Sequence, residues 1–277
     1  MFGGGNLIKK LVFYSFVYIS LCFTVISIMN NSILSALFLV LYCSHVVLSK
    51  EIPSYIKICN QTDPKLSACI RRSILILRPY LFDGIKELDV PSLNPLLVPE
   101  IKVAQDSGIQ VEASFKNISI YGATNFRLRS VRSDVGSDKF RLKIWFPELV
   151  MQGQYNIQGI LLMLPIRGHG MAYGNFSDID GVLAMKLKRV KKNGNEHYKV
   201  DFMQTEFNIG GAKIQLDNLF NGRDKELAAT MNQFINENWR MVAAEIRPAL
   251  EKIISDQLSE VADKFFSAFP ISKLFTS

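Results

Sequence analysis

The strongest constraint in this chain is one long helical stripe near its C-terminus. From Gly222 to Phe269, apolar side chains recur at Leu227, Met231, Phe234, Ile235, Val242, Ile246, Leu250, Ile253, Leu258, Val261 and Phe265. Successive gaps are mostly three or four residues, which sets them along one face of an α-helix with charged residues opposite. Pro248 is the only proline inside the segment and is expected to kink the helix without ending it. At ~1.5 Å per residue, about 40 residues of helix reach roughly 60 Å, more than a compact body of this size needs. Such a helix runs the length of an elongated molecule, and whatever covers its stripe is long as well.

The cover is a set of strands. In GIQVEASFKNISIYG (108–122) the apolar Ile109, Val111, Ala113 and Phe115 alternate with polar neighbours. The alternation resumes at Ile118 and Ile120 after a one-residue slip at Lys116-Asn117, which reads as a half-buried strand with a bulge. Similar alternation recurs in FRLRSVRSD (126–134), KFRLKIWFPELVMQGQYNI (139–157), GVLAMKLKRV (181–190), YKVDFMQTEFNIG (198–210) and AKIQLDN (212–218), with Asn193-Gly194 as a two-residue hairpin turn. Upstream, CIRRSILILRPYLF (69–82) predicts a short helix, apolar at Ile70, Ile74, Leu77 and Leu81 and stopped or kinked by Pro79. LDVPSLNPLLVPEI (88–101) carries three prolines and reads as an extended connector, not a regular strand. The expected fold class is α+β: a strongly curved antiparallel sheet wrapped around one long C-terminal helix, with a short N-terminal helix. No linker divides residues 50–277, so they form a single domain.

Residues 1–49 read as a leader. Lys9 and Lys10 are the only charges before Lys50, and two apolar runs flank Asn30-Asn31-Ser32. Runs of that length admit a membrane hairpin, but MNNSILSALFLVLYCSHVVLS (29–49) is signal-like in itself, with a short apolar stretch and small residues before Lys50. Residues 1–28 are then an extended start or the front of a long leader. The mature chain has 228 residues of 277, with 30 basic and 25 acidic ones, a formal charge of +5. That length buries a substantial core. Its two cysteines, Cys59 and Cys69, pair in an oxidising compartment; no histidine lies close enough to suggest a metal site. The same compartment gives meaning to three glycosylation sequons, at Asn60, Asn117 and Asn175. The expected localisation is secreted and extracellular, without stable membrane insertion of the mature chain.

Several of these stretches resemble the takeout / juvenile-hormone-binding protein family of insects. The cysteine pair after a signal peptide, LDVPSLNPLLVPEI, FKNISIYGATNF (115–126), PIRGHG (165–170) and LFNGRDKELAATMNQFINENW (219–239) are similar to family motifs and stand in the family's order. The resemblance implies a tubular lipid-binding fold, a curved sheet around one long helix enclosing an apolar tunnel. It also implies a secreted carrier of small hydrophobic ligands such as terpenoids or long-chain lipids, in a family linked to feeding, circadian output and chemosensation. Juvenile-hormone carriers proper have a further disulfide, and this mature chain has no cysteines left for one, which favours the takeout branch.

A carrier needs an apolar cavity with few polar groups. Candidate lining residues are Met163, Met171, Tyr173, Phe202, Phe234 and Phe265, because phenylalanine and methionine fill irregular apolar spaces and the Tyr173 hydroxyl can orient a ligand. Trp239 is expected to pack. Enzyme readings are poor. His169 has no neighbouring nucleophile, His197 is expected to be solvated near a hairpin tip, and no Gly-x-Ser-x-Gly elbow occurs. GHGMAYG (168–174) lacks dinucleotide-loop spacing, and SDIDG (177–181) lacks the rest of a calcium loop. No catalytic residue, cofactor or metal is assigned. The basic run KLKRVKKNGNEHYK (186–199) reads as a solvated hairpin tip and not as a nucleic-acid site; its functional version steers the protein toward acidic membrane surfaces or receptors. The rival reading is an extracellular protein that signals through a cell-surface receptor without an obligate ligand.

Overall fold

A computed structural model describes residues 52–88, 90–103, 110–134 and 136–276. The leader, and the alternation at Ile109, fall outside them. Lys50–Ser277 is one compact unit. Its order is β1 (Cys59–Asn60), α1 (Leu66–Leu77), β2 (Leu96–Val103), β3 (Val111–Tyr121), β4 (Arg127–Asp134), β5 (Lys139–Leu161), β6 (Leu164–Lys192), β7 (Asn195–Leu216), α2 (Lys225–Glu237), α3 (Trp239–Ala268), α4 (Ile271–Leu274) and β8 (Phe275–Thr276). The main sheet is antiparallel in the order β2-β3-β5-β6-β7, and β4 pairs with the start of β5 beyond β3.

Two of these strands are unusually long, 23 residues in β5 and 29 in β6. At ~3.3 Å per residue a straight 29-residue strand would reach roughly 95 Å, so the hairpin has to bend. The bend is built from aligned irregularities. On β5 the inward positions are Phe140, Leu142, Ile144 and Phe146, then Leu149, Met151 and Gly153, so one residue is inserted at Pro147-Glu148. On β6 the switch falls at Asp178, which has φ 51°, and on β7 at Gly210-Gly211. A Cβ on Gly210 would stand 2.6 Å from the Asp178 Cβ, so glycine is required where the strands crowd. The bulge expected at Lys116-Asn117 on β3 is present, with Asn117 at φ 51°, and Asn193-Gly194 forms the β6–β7 turn with both residues at positive φ.

Two expectations are corrected. LDVPSLNPLLVPEI is not wholly a connector: its second half is strand β2, paired with β3 from Leu96 to Val103. β2 is an edge strand, and an edge tolerates Pro99 because the missing N–H faces no partner. The long helical segment is also divided, at Asn238 (φ −107°), while α3 runs through Pro248 unbroken. The short helix begins at Leu66, one turn before the expected start.

Strand β7 is the other edge of the sheet, and the helices cover it with side chains. Asn232 makes a two-point bond to the Leu216 backbone, accepting from its N–H at 2.8 Å and donating to its carbonyl at 2.9 Å. Asn236, one turn on, does the same to Ile214 at 2.8 and 2.7 Å. Further along, the Phe207 N–H donates to Glu251, the Thr205 N–H to Ser255 and the Val200 N–H to Asp263. The polar residues of the helices thus stand in for a further strand and block the open edge. α3 also meets β2, which closes the curled sheet into a tube.

At the end that carries the β5–β6 turn, Tyr155, Ile157, Leu161, Ile166, Leu216, Leu219, Met231, Ile235 and Val242 form a closed core. At the opposite end, Phe140, Leu187, Tyr198 and Ile271 form a second core, beside a third around Ile85, Leu88 and Phe269. α1 lies along β4, with Ile70, Ile74 and Leu81 against Phe126, Leu128 and Val131. The Cys59–Cys69 disulfide ties β1 to α1, and β1 pairs in parallel with the C-terminal β8. His197 is buried here, not solvated, because Pro270 bridges to its backbone and the C-terminal turn lies over it.

Candidate functional site

Between the closed ends, the sheet lines the tube with four inward rows running across β5, β6 and β7. They are Ile144–Gly181–Phe207, Phe146–Ile179–Ile209, Leu149–Phe176–Ala212 and Met151–Gly174–Ile214. Every large side chain in them is apolar, and of these only Ile179 is buried. A packed core would bury them all, since interiors of folded domains leave few gaps larger than a water molecule. The facing helix agrees: of the 30 residues of α3 only Val242 and Ser255 are buried, although the helix carries Ile246, Leu250, Ile253 and Phe265. Gly181 sits in the middle of this surface, and an added Cβ would meet nothing nearer than the Ile144 carbonyl oxygen at 3.7 Å. The middle of the tube therefore has apolar walls whose large side chains are only part-buried.

The polar groups around this space are engaged. The Thr205 hydroxyl lies 2.8 Å from that of Ser255 and donates to the Glu251 carbonyl at 2.9 Å. At the ends, the Tyr155 hydroxyl donates to the Asp217 carbonyl at 2.6 Å and Tyr198 to the Asp138 carboxylate at 2.9 Å. Burial pushes both phenols up to about 12, with the Asp217 field adding to Tyr155 and the Asp138 bond adding to Tyr198. These tyrosines lock the ends and leave the walls between them apolar.

A second feature lies outside the core at the turn end. Leu164, Pro165, Phe220, Leu227, Met231 and Phe234 line a half-open cleft of about 230 Å³, with Thr230 its only polar side chain. Leu162 and Met163, at the adjoining β5–β6 turn, both take positive φ.

The six residues singled out from sequence are distributed differently from the expectation. Phe234 lines the cleft and Phe265 packs beside Phe266 and Phe269 toward the disulfide end. Met163 stands at the turn tip, not on a strand, and is 91% exposed. Met171 and Tyr173 pair with Gln154 and Gln152 on the outer face, while their neighbours Ala172 and Gly174 point inward. Phe202 also faces out, opposite Lys186. The inward rows were missed because a single strand's alternation does not say which parity faces the core once a bulge resets it. The usable signal was the run Phe140, Leu142, Ile144, Phe146, whose strict alternation fixes one face of β5 before the reset at Pro147. Among the sequons, Asn117 and Asn175 are exposed and Asn60 is half-buried, its side-chain carbonyl accepting from Thr62.

Comparison with known proteins places this architecture. A family model described as haemolymph juvenile hormone binding protein matches residues 37–276. "Circadian clock-controlled protein daywake" of Drosophila melanogaster is 22% identical over 236 residues, covering 82% of this chain and 89% of that protein. The Drosophila yakuba protein of the same name is also 22% identical, over 237 residues. Among solved structures, Takeout 1 of Epiphyas postvittana aligns with a TM-score of 0.69 at 22% identity, covering 80% of this chain and 100% of that one. The fold is that of Takeout 1. With the family match spanning nearly the whole chain, the protein belongs to the haemolymph juvenile hormone binding protein family, the takeout / juvenile-hormone-binding proteins of insects.

Proposed function

We propose that the chain carries a small hydrophobic ligand, a terpenoid or long-chain lipid, in the space between α3 and the inward rows of β5, β6 and β7. The observation that supports this is the incomplete burial of inward apolar side chains around Gly181. Leaving apolar surface without a partner forfeits about 25 cal/mol per Å², and an apolar ligand recovers it. Phe265 lies toward one end of that space; Phe234, in the outer cleft, lies toward the other, where a ligand passes in or out.

The test has two arms. An organic-solvent extract of residues 50–277 produced in eukaryotic cells is analysed by mass spectrometry, and uptake of an apolar fluorescent probe is titrated. A lipid at near-unit stoichiometry, or probe uptake, supports the carrier. Gly181→Phe should then reduce uptake at least tenfold while leaving the unfolding midpoint within a few degrees, because it fills open room. Neither lipid nor probe uptake in the parent protein would leave the receptor-interacting reading in its place.

The carrier is proposed to be secreted, cleaved after Ser49 and glycosylated at Asn60, Asn117 and Asn175. N-terminal sequencing and a gel shift on enzymatic deglycosylation check this; a secreted product that retains residue 20 would contradict it. The name of the daywake relatives, circadian clock-controlled proteins, suggests clock-controlled expression for this chain too. A transcript level flat over a full day would argue against that.

A further inference from the structure

The outer face of the sheet next to α1 is a cationic surface, and the sheet register fixes its composition. Directly opposed residues on neighbouring strands share a face, so β4, β5, β6 and β7 present four outward rows: Arg127–Trp145–Asp180–Asn208, Ser130–Lys143–Val182–Glu206, Arg132–Arg141–Ala184–Gln204 and Asp134–Lys139–Lys186–Phe202. The bulged Arg129 and the pair Lys188–Lys199 border them. Nine cations therefore share this face with four carboxylates, counting Asp201, which pairs with Lys186 and Lys188. That excess of five equals the formal charge of the whole 50–277 unit, so the rest of the unit balances.

Two details separate this surface from an ordinary solvated sheet. Arg132 stands directly across from Arg141, and Lys139 from Lys186, like charges in positions that oppose folding. Arg132, Arg141 and Lys143 have no carboxylate within ion-pair distance among the described residues. The second detail is an apolar diagonal between the cations: Trp145, Val182, Ala184 and Phe202, one in each successive row. Phe202 is 51% exposed, and Trp145 lies under the guanidinium groups of Arg127 and Arg129 at 5.1 and 5.9 Å. None of Asn60, Asn117 and Asn175 falls in these rows.

We propose that this face docks on an anionic lipid bilayer. Unpaired cations meet lipid phosphates and carboxylates, and the tryptophan and phenylalanine settle at the headgroup level where amphipathic aromatic rings are favoured. A sulfated polysaccharide would use the charges and leave the apolar diagonal without a partner, which is why the bilayer is the assigned occupant. The attachment is peripheral, since no helix among the described residues is long and apolar enough to cross a membrane. It stands independently of the carrier reading, because empty protein presents the same rows.

The experiment uses residues 50–277, which form one compact unit. Co-sedimentation is measured with vesicles of phosphatidylcholine alone and with 30% phosphatidylserine, at low and physiological salt. Binding is expected only with phosphatidylserine and should weaken with salt. The variant R132Q/R141Q/K143Q should lose at least tenfold in partitioning. The control K102Q/K213Q, on the other half of the sheet, should lose less than twofold. Phe202→Ser should weaken binding severalfold at constant charge, a readout that net charge does not produce. Thermal unfolding of each variant shows that it is folded. Equal binding to neutral vesicles, parent-like binding by the triple variant, or retention on heparin with no vesicle binding would each overturn the assignment.

Discussion

Strand β5 passes through both halves of the molecule, and the two halves are opposites. From Gln152 to Gln158 its outward residues are Gln152, Gln154, Asn156 and Gln158, all uncharged, while the inward Tyr155 and Ile157 are buried in a closed core. From Lys139 to Phe146 the outward residues are Lys139, Arg141, Lys143 and Trp145, while the inward Leu142, Ile144 and Phe146 remain part-exposed, packed on one side against Phe126, Leu128 and Val131. One continuous strand therefore carries an uncharged outer face over a closed core at one end and a cationic outer face over part-exposed apolar residues at the other. The bend around Pro147 falls within the run of part-exposed inward rows, which continues past it through Leu149 and Met151 before the closed core begins.

The largest test of this contrast replaces the same residue type on each side. Ile157→Ala opens a cavity in a filled core and is expected to lower the unfolding free energy by about 3 to 4 kcal/mol. Ile144→Ala trims a part-exposed side chain that packs only on the side of Phe126, Leu128 and Val131 and should cost less, about 1 to 2 kcal/mol, with faster ligand release. Urea unfolding of the two variants decides it. Equal costs would mean that the middle of the tube is packed like its end.

Next in size are the devices that hold the tube closed. Asn232→Ala strips the buried Leu216 N–H and carbonyl of their partners and is expected to cost about 2 to 3 kcal/mol. Asn232→Asp, which keeps an acceptor for the N–H but loses the donor, should fall between it and the parent. Replacing Cys59 and Cys69 by serine should cost about 3 kcal/mol in the chain-entropy model and quicken ligand release at the α1 end; unchanged stability would remove the disulfide as a clamp.

The tyrosines give a pH test. Tyr155 and Tyr198 ionise near 12 in the folded protein, against 10.0 for an ordinary phenol. Their contribution is fully present below pH 10, where both states hold the proton. It is lost as pH rises from 10 toward 12, because the unfolded chain ionises first. The loss should approach about 2 to 3 kcal/mol per tyrosine, and Tyr155→Phe should flatten its share of the slope. A stability curve level to pH 12 would contradict the locked-end picture.

Much of this architecture is legible in the chain. Alternation and the Lys116-Asn117 slip mark β3, Asn193-Gly194 marks a turn, and the apolar stripe marks the C-terminal helices, because each depends on neighbours a few residues away. The site is less legible because it depends on parity relations between strands that bulges reset. Met171 and Tyr173 are as apolar as their surroundings suggest, yet they fall on the outer parity. Asp178 and Gly210 reset β6 and β7 in step with Pro147, an agreement visible only when the three strands are side by side. β2 was hidden by its prolines, which an edge position permits. The edge-covering role of Asn232 and Asn236 has no local signal, because their partners lie in a strand 16 to 22 positions earlier.

The smallest expected effect has an informative sign. Arg141 faces Arg132 across the β4–β5 ladder with no described carboxylate to offset either. Replacing Arg141 by glutamine removes a direct like-charge contact and should raise stability by about 0.2 to 0.5 kcal/mol, whereas most substitutions lower it. Gln154→Arg, on the stretch of β5 whose outward residues are uncharged, places a cation opposite Lys116 and should lower stability by a similar amount. If both hold in chemical denaturation, the cationic half carries a charge arrangement that folding by itself would discard. Its retention is then explained by what the face meets outside the molecule, and a drop in stability on Arg141→Gln would instead make the arginines part of the scaffold.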